Sequence, residues 1–182
     1  MQHIINDSYL KLYSPIPKNF DTTEVWNYVT MAEKLYLLPI LGKDLFDEIK
    51  EQVNAPSGGT LSPENSTLLT EGCVWQLLGF ATVYEALPLL WGRLSEAGLQ
   101  LNKSENSDSM TLKDITLVQQ HLQNQINGLR QAVIDFLCTH TESYPLFDTS
   151  ICDGCGCGCG KKKTQQLFKP INPTLRSNKE IR

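Results

Sequence analysis

Residues 115–140 read ITLVQQHLQNQINGLRQAVIDFLCTH, and no other stretch of the chain says as much about its fold. Ile115, Val118, Leu122, Ile126, Leu129, Val133, Phe136 and His140 recur at steps of three and four, the spacing of one face of an α-helix. Gln119, Gln120, Gln123, Asn124, Gln125 and Asn127 occupy much of the opposite face. The pattern predicts a single amphipathic helix about 45 Å long, at a rise of ~1.5 Å per residue. That is longer than a domain of 182 residues needs, so the helix is expected to act as a structural spine.

Upstream, a polar loop is expected over residues 101–109, and before it lies Cys73–Trp91, the most apolar part of the chain. Gln76, Glu85 and Pro88 interrupt this part, and a carboxylate at mid-bilayer costs about 2.5–3.5 kcal/mol on insertion scales. It therefore reads as a buried helix rather than a membrane span. Ser62 and Pro63 supply its N-cap and first turn, and Pro88 is expected to kink or end it. Being apolar on every side, it must be covered on every side, by other helices or by a second subunit.

Leu45, Phe46, Ile49 and Val53 mark a shorter helix, closed by the turn-rich run Asn54-Ala55-Pro56-Ser57-Gly58-Gly59. Val25, Val29, Ala32 and Tyr36 mark another, opening at Asp21 and Glu24 and stopping at the breaker Pro39. Residues 1–20 contain Pro15, Pro17 and the alternation Tyr9-Leu10-Lys11-Leu12-Tyr13, which reads as an extended arm with at most one short edge strand. The expected fold is therefore all-α: a small bundle of about four helices over residues 21–141, with an extended N-terminal arm (1–20) and an extended C-terminal tail (142–182). The tail has too few apolar residues to offset its own ordering entropy, so neighbouring chains are expected to hold it.

A hydrophobic share of 41% with 20% charged residues permits a packed core and excludes wholesale disorder. Sixteen Lys and Arg against 20 Asp and Glu give a formal charge of −4, which argues against a protein whose main work is neutralising phosphates. The opening MQHIINDSYLKLY has neither the basic region nor the apolar run of a secretory signal, so a reducing cytoplasm is the expected compartment.

Chemistry is concentrated in Ile151-Cys152-Asp153-Gly154-Cys155-Gly156-Cys157-Gly158-Cys159-Gly160. Cys152, Cys155, Cys157 and Cys159 are soft thiolate ligands suited to zinc, on a glycine-rich backbone free to wrap one ion. Their spacing is unusual, because structural zinc sites join two distant pairs. Three readings stay open: a metal site, thiol exchange or disulfides, and a Gly/Cys packing segment without chemistry. Cys73 and Cys138 lie in apolar helical contexts and are expected in the core.

His3, His121 and His140 are scattered, and His140 continues the apolar stripe of the last helix. No phosphate-binding, dinucleotide-binding or nucleophile-elbow motif is present, so an enzyme is not expected. Lys161-Lys162-Lys163 is a charge run that is solvated or meets phosphate or an acidic partner. Trp26, Trp75 and Trp91 are expected in packing or at a subunit interface.

The run Ala32-Glu33-Lys34-Leu35-Tyr36-Leu37-Leu38-Pro39-Ile40-Leu41-Gly42-Lys43-Asp44-Leu45-Phe46 resembles a signature of small α-helical head-to-tail connector proteins of tailed phages, especially those of crAss-like and other Bacteroidales phages. Trp91-Gly92-Arg93-Leu94-Ser95-Glu96-Ala97-Gly98-Leu99, followed by a polar loop and a long final helix, is similar to the same pattern. The resemblance spans residues 20–141. It implies an adaptor without catalytic activity: a homo-oligomeric ring, typically of twelve copies, in the neck of the virion. Such a ring contacts the portal and neighbouring tail or ring proteins, assembles in the host cytoplasm, and lets DNA pass without sequence-specific binding or membrane contact. The cysteine segment has no counterpart in that family, and a small cytosolic metal-binding or redox module acting through Cys152–Cys159 is the alternative.

Overall fold

The structure is a computed structural model that describes residues 3–55, 61–95, 98–101 and 112–154. It is all-α in its packed body. Among the described residues, the six α-helices are α1 (Asp7–Tyr13), α2 (Trp26–Ala32), α3 (Leu38–Val53), α4 (Pro63–Thr70), α5 (Val74–Trp91) and α6 (Leu112–Thr139). One antiparallel hairpin follows α5, pairing β1 (Gly92–Ser95) with β2 (Gly98–Leu101) in the register Gly92 to Leu101 and Ser95 to Gly98.

Helix α5 is the axis of the body. Its apolar residues are distributed all round, and α1, α2, α4 and α6 pack against it. Val74, Leu77, Leu78, Ala81 and Ala86 are fully buried, each leucine contributing about 2 kcal/mol of burial. Much of the cover that this helix requires thus comes from the chain itself, while Phe80, Val83, Tyr84 and Leu87 stay partly exposed. Pro88 lies inside α5 without ending it; the helix continues to Trp91. The third expected helix is two helices, separated at Gly72 and Cys73, where Cys73 takes a left-handed φ of 62°. Ser62 caps α4 as expected, its side chain accepting the Asn65 N–H.

Helix α6 has 28 residues, about 42 Å at ~1.5 Å each. Ile115, Leu122, Ile126, Val133 and Leu137 face the core, while Gln119, Val118 and Leu129 lie at its margins. Among the described residues, no helix is long and apolar enough to cross a membrane.

Pro39 does not stop the second helical segment. The helical path runs from Trp26 through residues 33–37 and past Pro39 to Leu41. The interruption comes at Gly42, whose φ of 75° and ψ of 166° break the helical path and suit a residue without a Cβ. Between α2 and α3, residues Glu33–Leu37 form a π turn, in which Leu38 N–H reaches back to the Glu33 carbonyl. The extra residue per turn brings both Glu33 and Leu37 inward.

Both expected extensions need correction. Residues 3–13 are neither extended nor a strand: Asn6 caps α1 by accepting the Tyr9 N–H, and Asp7 pairs with Lys11 one turn later at 3.1 Å. These local bonds outweigh a five-residue alternation. Ile4, Ile5 and Leu10 join the same core cluster as Val29, Leu37 and Leu77, so the N-terminal segment is part of the body. At the other end, Tyr144 and Phe147 are buried in that cluster too, and the body extends past the expected boundary at residue 141. Residues 155–182 lie outside the described part.

Candidate functional site

Glu33 is the most unusual side chain in the body, a carboxylate only 2% exposed. The π turn places it beneath the N-terminal segment, and both of its oxygens are engaged. Oε1 accepts the Ile4 N–H at 2.7 Å, and Oε2 lies 3.3 Å from Lys50 Nζ, which reaches in from α3. A buried charge of this kind persists when it is paired and hydrogen-bonded. Two further side chains hold the same backbone: Asn54 Nδ2 donates to the His3 carbonyl at 3.1 Å, and Trp75 Nε1 donates to the Ile4 carbonyl at 3.2 Å. The main chain of residues 3–4 is therefore fastened by side chains from three different elements.

The His3 ring stacks on Trp26 at 5.3 Å, with Nδ1 buried 3.5 Å from Glu33 Oε1 and lacking a hydrogen-bond partner among the described residues. Beside it runs an open groove of about 600 Å³ lined by His3, Asn6, Asp7, Trp26, Asn27 and Asn54. The Thr22 hydroxyl donates to Asp7, and this bond, with Lys11, holds the Asp7 carboxyl below the usual carboxylate range. The arrangement binds backbone and fixes an end of the chain. A carboxylate committed to an amide and an ammonium is a poor general base.

Glu85, the acid that interrupts the apolar run of α5, accepts the Tyr36 hydroxyl at 2.6 Å. Burial, reinforced by Glu85, pushes the Tyr36 phenol well above its ordinary range. Tyr84 with Thr116, Gln119, Gln120, Gln123 and Asn124 of α6 lines a shallow depression of about 400 Å³. Gln123, Asn124, Gln125 and Asn127 are exposed, giving α6 an outward face of uncharged amides.

The cysteines are arranged differently from expectation. Cys138, expected as a plain core residue, is disulfide-bonded to Cys152, which sits in a 3₁₀ turn at Thr149–Gly154; their Cα atoms are 5.6 Å apart. While that bond is closed, the sulfur of Cys152 is no thiolate and cannot serve as a metal ligand. Cys155, Cys157 and Cys159 lie outside the described residues, and among the described residues no group of three His, Cys, Asp or Glu could hold a metal ion. Cys73 is a free thiol at the α4–α5 junction. His140, just past the end of α6, stacks on Phe136 at 4.4 Å but is exposed, so the expected place in the apolar stripe is not where it lies.

Glu33 belongs to no catalytic or metal-binding motif. Its signal in the sequence is its place in the series Val25, Val29, Glu33, Leu37, a charge on the buried face of its helix. His3 carries no comparable signal, since its partners are far away in the chain.

In comparisons with known proteins, residues 37–156 match the family described as "Family of unknown function (DUF6712)". No curated protein and no solved structure matches the chain.

Proposed function

We propose, for a chain that belongs to the DUF6712 family, the role of a structural ring subunit that joins the portal of a phage capsid to the tail and extends the DNA channel. The observation that supports this reading best is the outer face of α6: a 28-residue helix with one side packed on the body and, between Gln119 and Gln131, an outward stretch rich in uncharged amides about 18 Å long. Amides offer donors and acceptors to many partners without a net field. Such a face suits contact between identical copies, or a lumen along which DNA slides without being held. Leu12, Met31, Leu35, Leu117 and Leu146 are large apolar side chains left exposed, further surface that neighbouring copies can cover.

Identical subunits joined through two different faces close into a ring when the rotation per copy divides the circle, and twelve is the number the resemblance suggests. Because residues 3–13 and 141–152 pack on their own body, the contacts to portal and tail proteins fall to the helical faces and to residues 155–182, including Lys161–Lys163. Before assembly the subunit resides in the host cytoplasm; afterwards it resides in the neck of the virion.

The test is native mass measurement of the purified chain across about 1–50 µM, alone and with the portal protein of the same genome. A closed oligomer of many copies, or a defined multiple of copies per portal, is the expected outcome. A monomer in both conditions overturns the proposal. The other reading, a metal module on Cys152, Cys155, Cys157 and Cys159, predicts at least one zinc per chain by elemental analysis of protein purified under reducing conditions.

A further inference from the structure

The segment after α6 is held in two ways, and the boundary between them falls at Phe147. Residues 141–147 are held by burial: Tyr144 and Phe147 sit in the core, and the Tyr144 hydroxyl donates to the Glu64 carbonyl at 2.6 Å, across 80 residues of chain. Residues 149–152 are held more lightly. Among the described residues their hydrogen bonds are local: Ser150 N–H donates to Asp148 Oδ1 at 2.9 Å, and Ile151 N–H donates to the Asp148 carbonyl at 3.4 Å. Thr149 and Ser150 are exposed, and Ile151 and Cys152 rest on the core only partly buried. The covalent bond from Cys152 to Cys138 adds to these contacts and fixes the turn to α6.

We infer that the Cys138–Cys152 disulfide is a redox-operated latch that holds the turn Thr149–Gly154 against α6. Its chemistry is thiol–disulfide exchange. A dithiol reductant attacks one sulfur as the thiolate and gives up two electrons as it closes to its own disulfide; Cys138 and Cys152 gain those electrons and two protons, and each ends as a thiol. The reverse reaction, with a small-molecule disulfide as oxidant, closes the latch.

Closed, residues 148–152 are held beside α6 by the covalent bond. Open, they keep only their local hydrogen bonds and the partly buried contacts of Ile151 and Cys152, so the turn can come away from α6 while Tyr144 and Phe147 hold residues 141–147 in place. Because Tyr144 and Phe147 already anchor the chain close to Cys152, the bond closes only a short additional loop. Its effect is therefore positional more than stabilising.

The experiment is hydrogen exchange with peptide-resolved mass spectrometry on the full chain, oxidised and after reduction, with Cys138→Ser alongside. On reduction, exchange in peptides covering 148–154 is expected to rise at least tenfold, while 141–147 and α6 stay unchanged. Cys138→Ser is expected to show the open pattern without reductant and no further response to it. Three results overturn the inference: no change in 148–154 on reduction; faster exchange throughout α6 and 141–147 as well, which makes the bond a general staple; or peptide mapping of unreduced protein that finds Cys138 as a free thiol or joined to a cysteine other than Cys152.

Discussion

The two ends of the described chain solve one problem in opposite ways. Residues 3–13 and 141–152 both look too sparse in apolar residues to order themselves, and both pack on the body. The N-terminal end is fastened at its backbone, by Glu33, Asn54 and Trp75 reaching from the body to the amide and carbonyls of residues 3–4, with Ile4, Ile5 and Leu10 buried around them. The C-terminal end is fastened at its side chains, by two buried aromatics and a disulfide. A backbone clasp depends on a polar network and fails together when its centre is removed. Side-chain anchors are separate and fail one at a time.

The largest effect is therefore expected at Glu33. Glu33→Ala leaves the Ile4 N–H without an acceptor and Lys50 without its partner, and opens a cavity under the N-terminal segment. A loss of about 4 kcal/mol is expected, of which Lys50, one-third exposed, contributes the lesser part because it can turn to water. At roughly 2–4 °C per kcal/mol, thermal denaturation should show a midpoint lower by about 10 °C. Glu33→Gln keeps an acceptor for Ile4 and should recover about half of the loss. Hydrogen exchange should rise over 3–13 while 141–147 stays protected; equal exposure of both ends would break the contrast drawn here.

Phe147→Ala is the matching test at the other end. Phe147 is buried near the surface of the body, where the site can partly collapse, so the cost is expected at the low end of the Phe→Ala range, about 3 kcal/mol in urea unfolding. Tyr144 remains, so exchange should quicken mainly from 145 onward. Next comes Gly79 on α5. A Cβ there would lie 2.8 Å from the Tyr13 carbonyl oxygen and 2.9 Å from Ser14 Cβ, and backbone cannot yield as a flexible side chain does. Gly79→Ala should displace the chain as it leaves α1 and cost about 2 kcal/mol, with exchange again confined to the N-terminal segment.

How much of this could be read from the sequence follows from how local each signal is. The long amphipathic helix α6, the buried nature of α5 and the Ser62–Pro63 start of α4 are set by residues within a few positions of one another, and the structure has all three, although Leu137 joins the buried face of α6 where His140 was expected. Tyr9 to Tyr13 misleads because five alternating residues weigh less than one cap and one i,i+4 pair; Asn6, Asp7 and Lys11 carried the better signal. Pro39 and Gly42 stand three residues apart, and the rule that proline breaks helices points to the wrong one, since the helical path passes Pro39 and breaks where Gly42 takes a left-handed φ. The run from Trp91 to Leu99 carried no strand signal strong enough to foresee the hairpin. The clasp and the disulfide were out of reach for a different reason. Glu33 meets its partners 29 and 17 residues away, and which cysteine faces Cys152 is a property of the finished packing that no spacing rule supplies.

The smallest effect, and the sharpest on the contrast between the ends, concerns Tyr144. Burial first, and the charge of Glu64 second, raise its phenol above the ordinary value of 10.0. A group whose pKa is raised by folding favours the folded state while it stays protonated. Its contribution is thus fully present below pH ~10 and is lost as pH climbs through the raised value. Tyr144→Phe removes the hydroxyl bond to the Glu64 carbonyl and should cost about 1 kcal/mol at pH 7. Tyr36 is raised too, by burial and Glu85, but it is common to both proteins, so its alkaline effect cancels in the difference. The stability gap between wild type and Tyr144→Phe, measured by urea unfolding of the oxidised chain from pH 7 to 11.5, should therefore shrink above pH ~10. A gap that holds constant to the end of that range would mean the phenol is no anchor of the C-terminal end, leaving Phe147 and the disulfide to hold it.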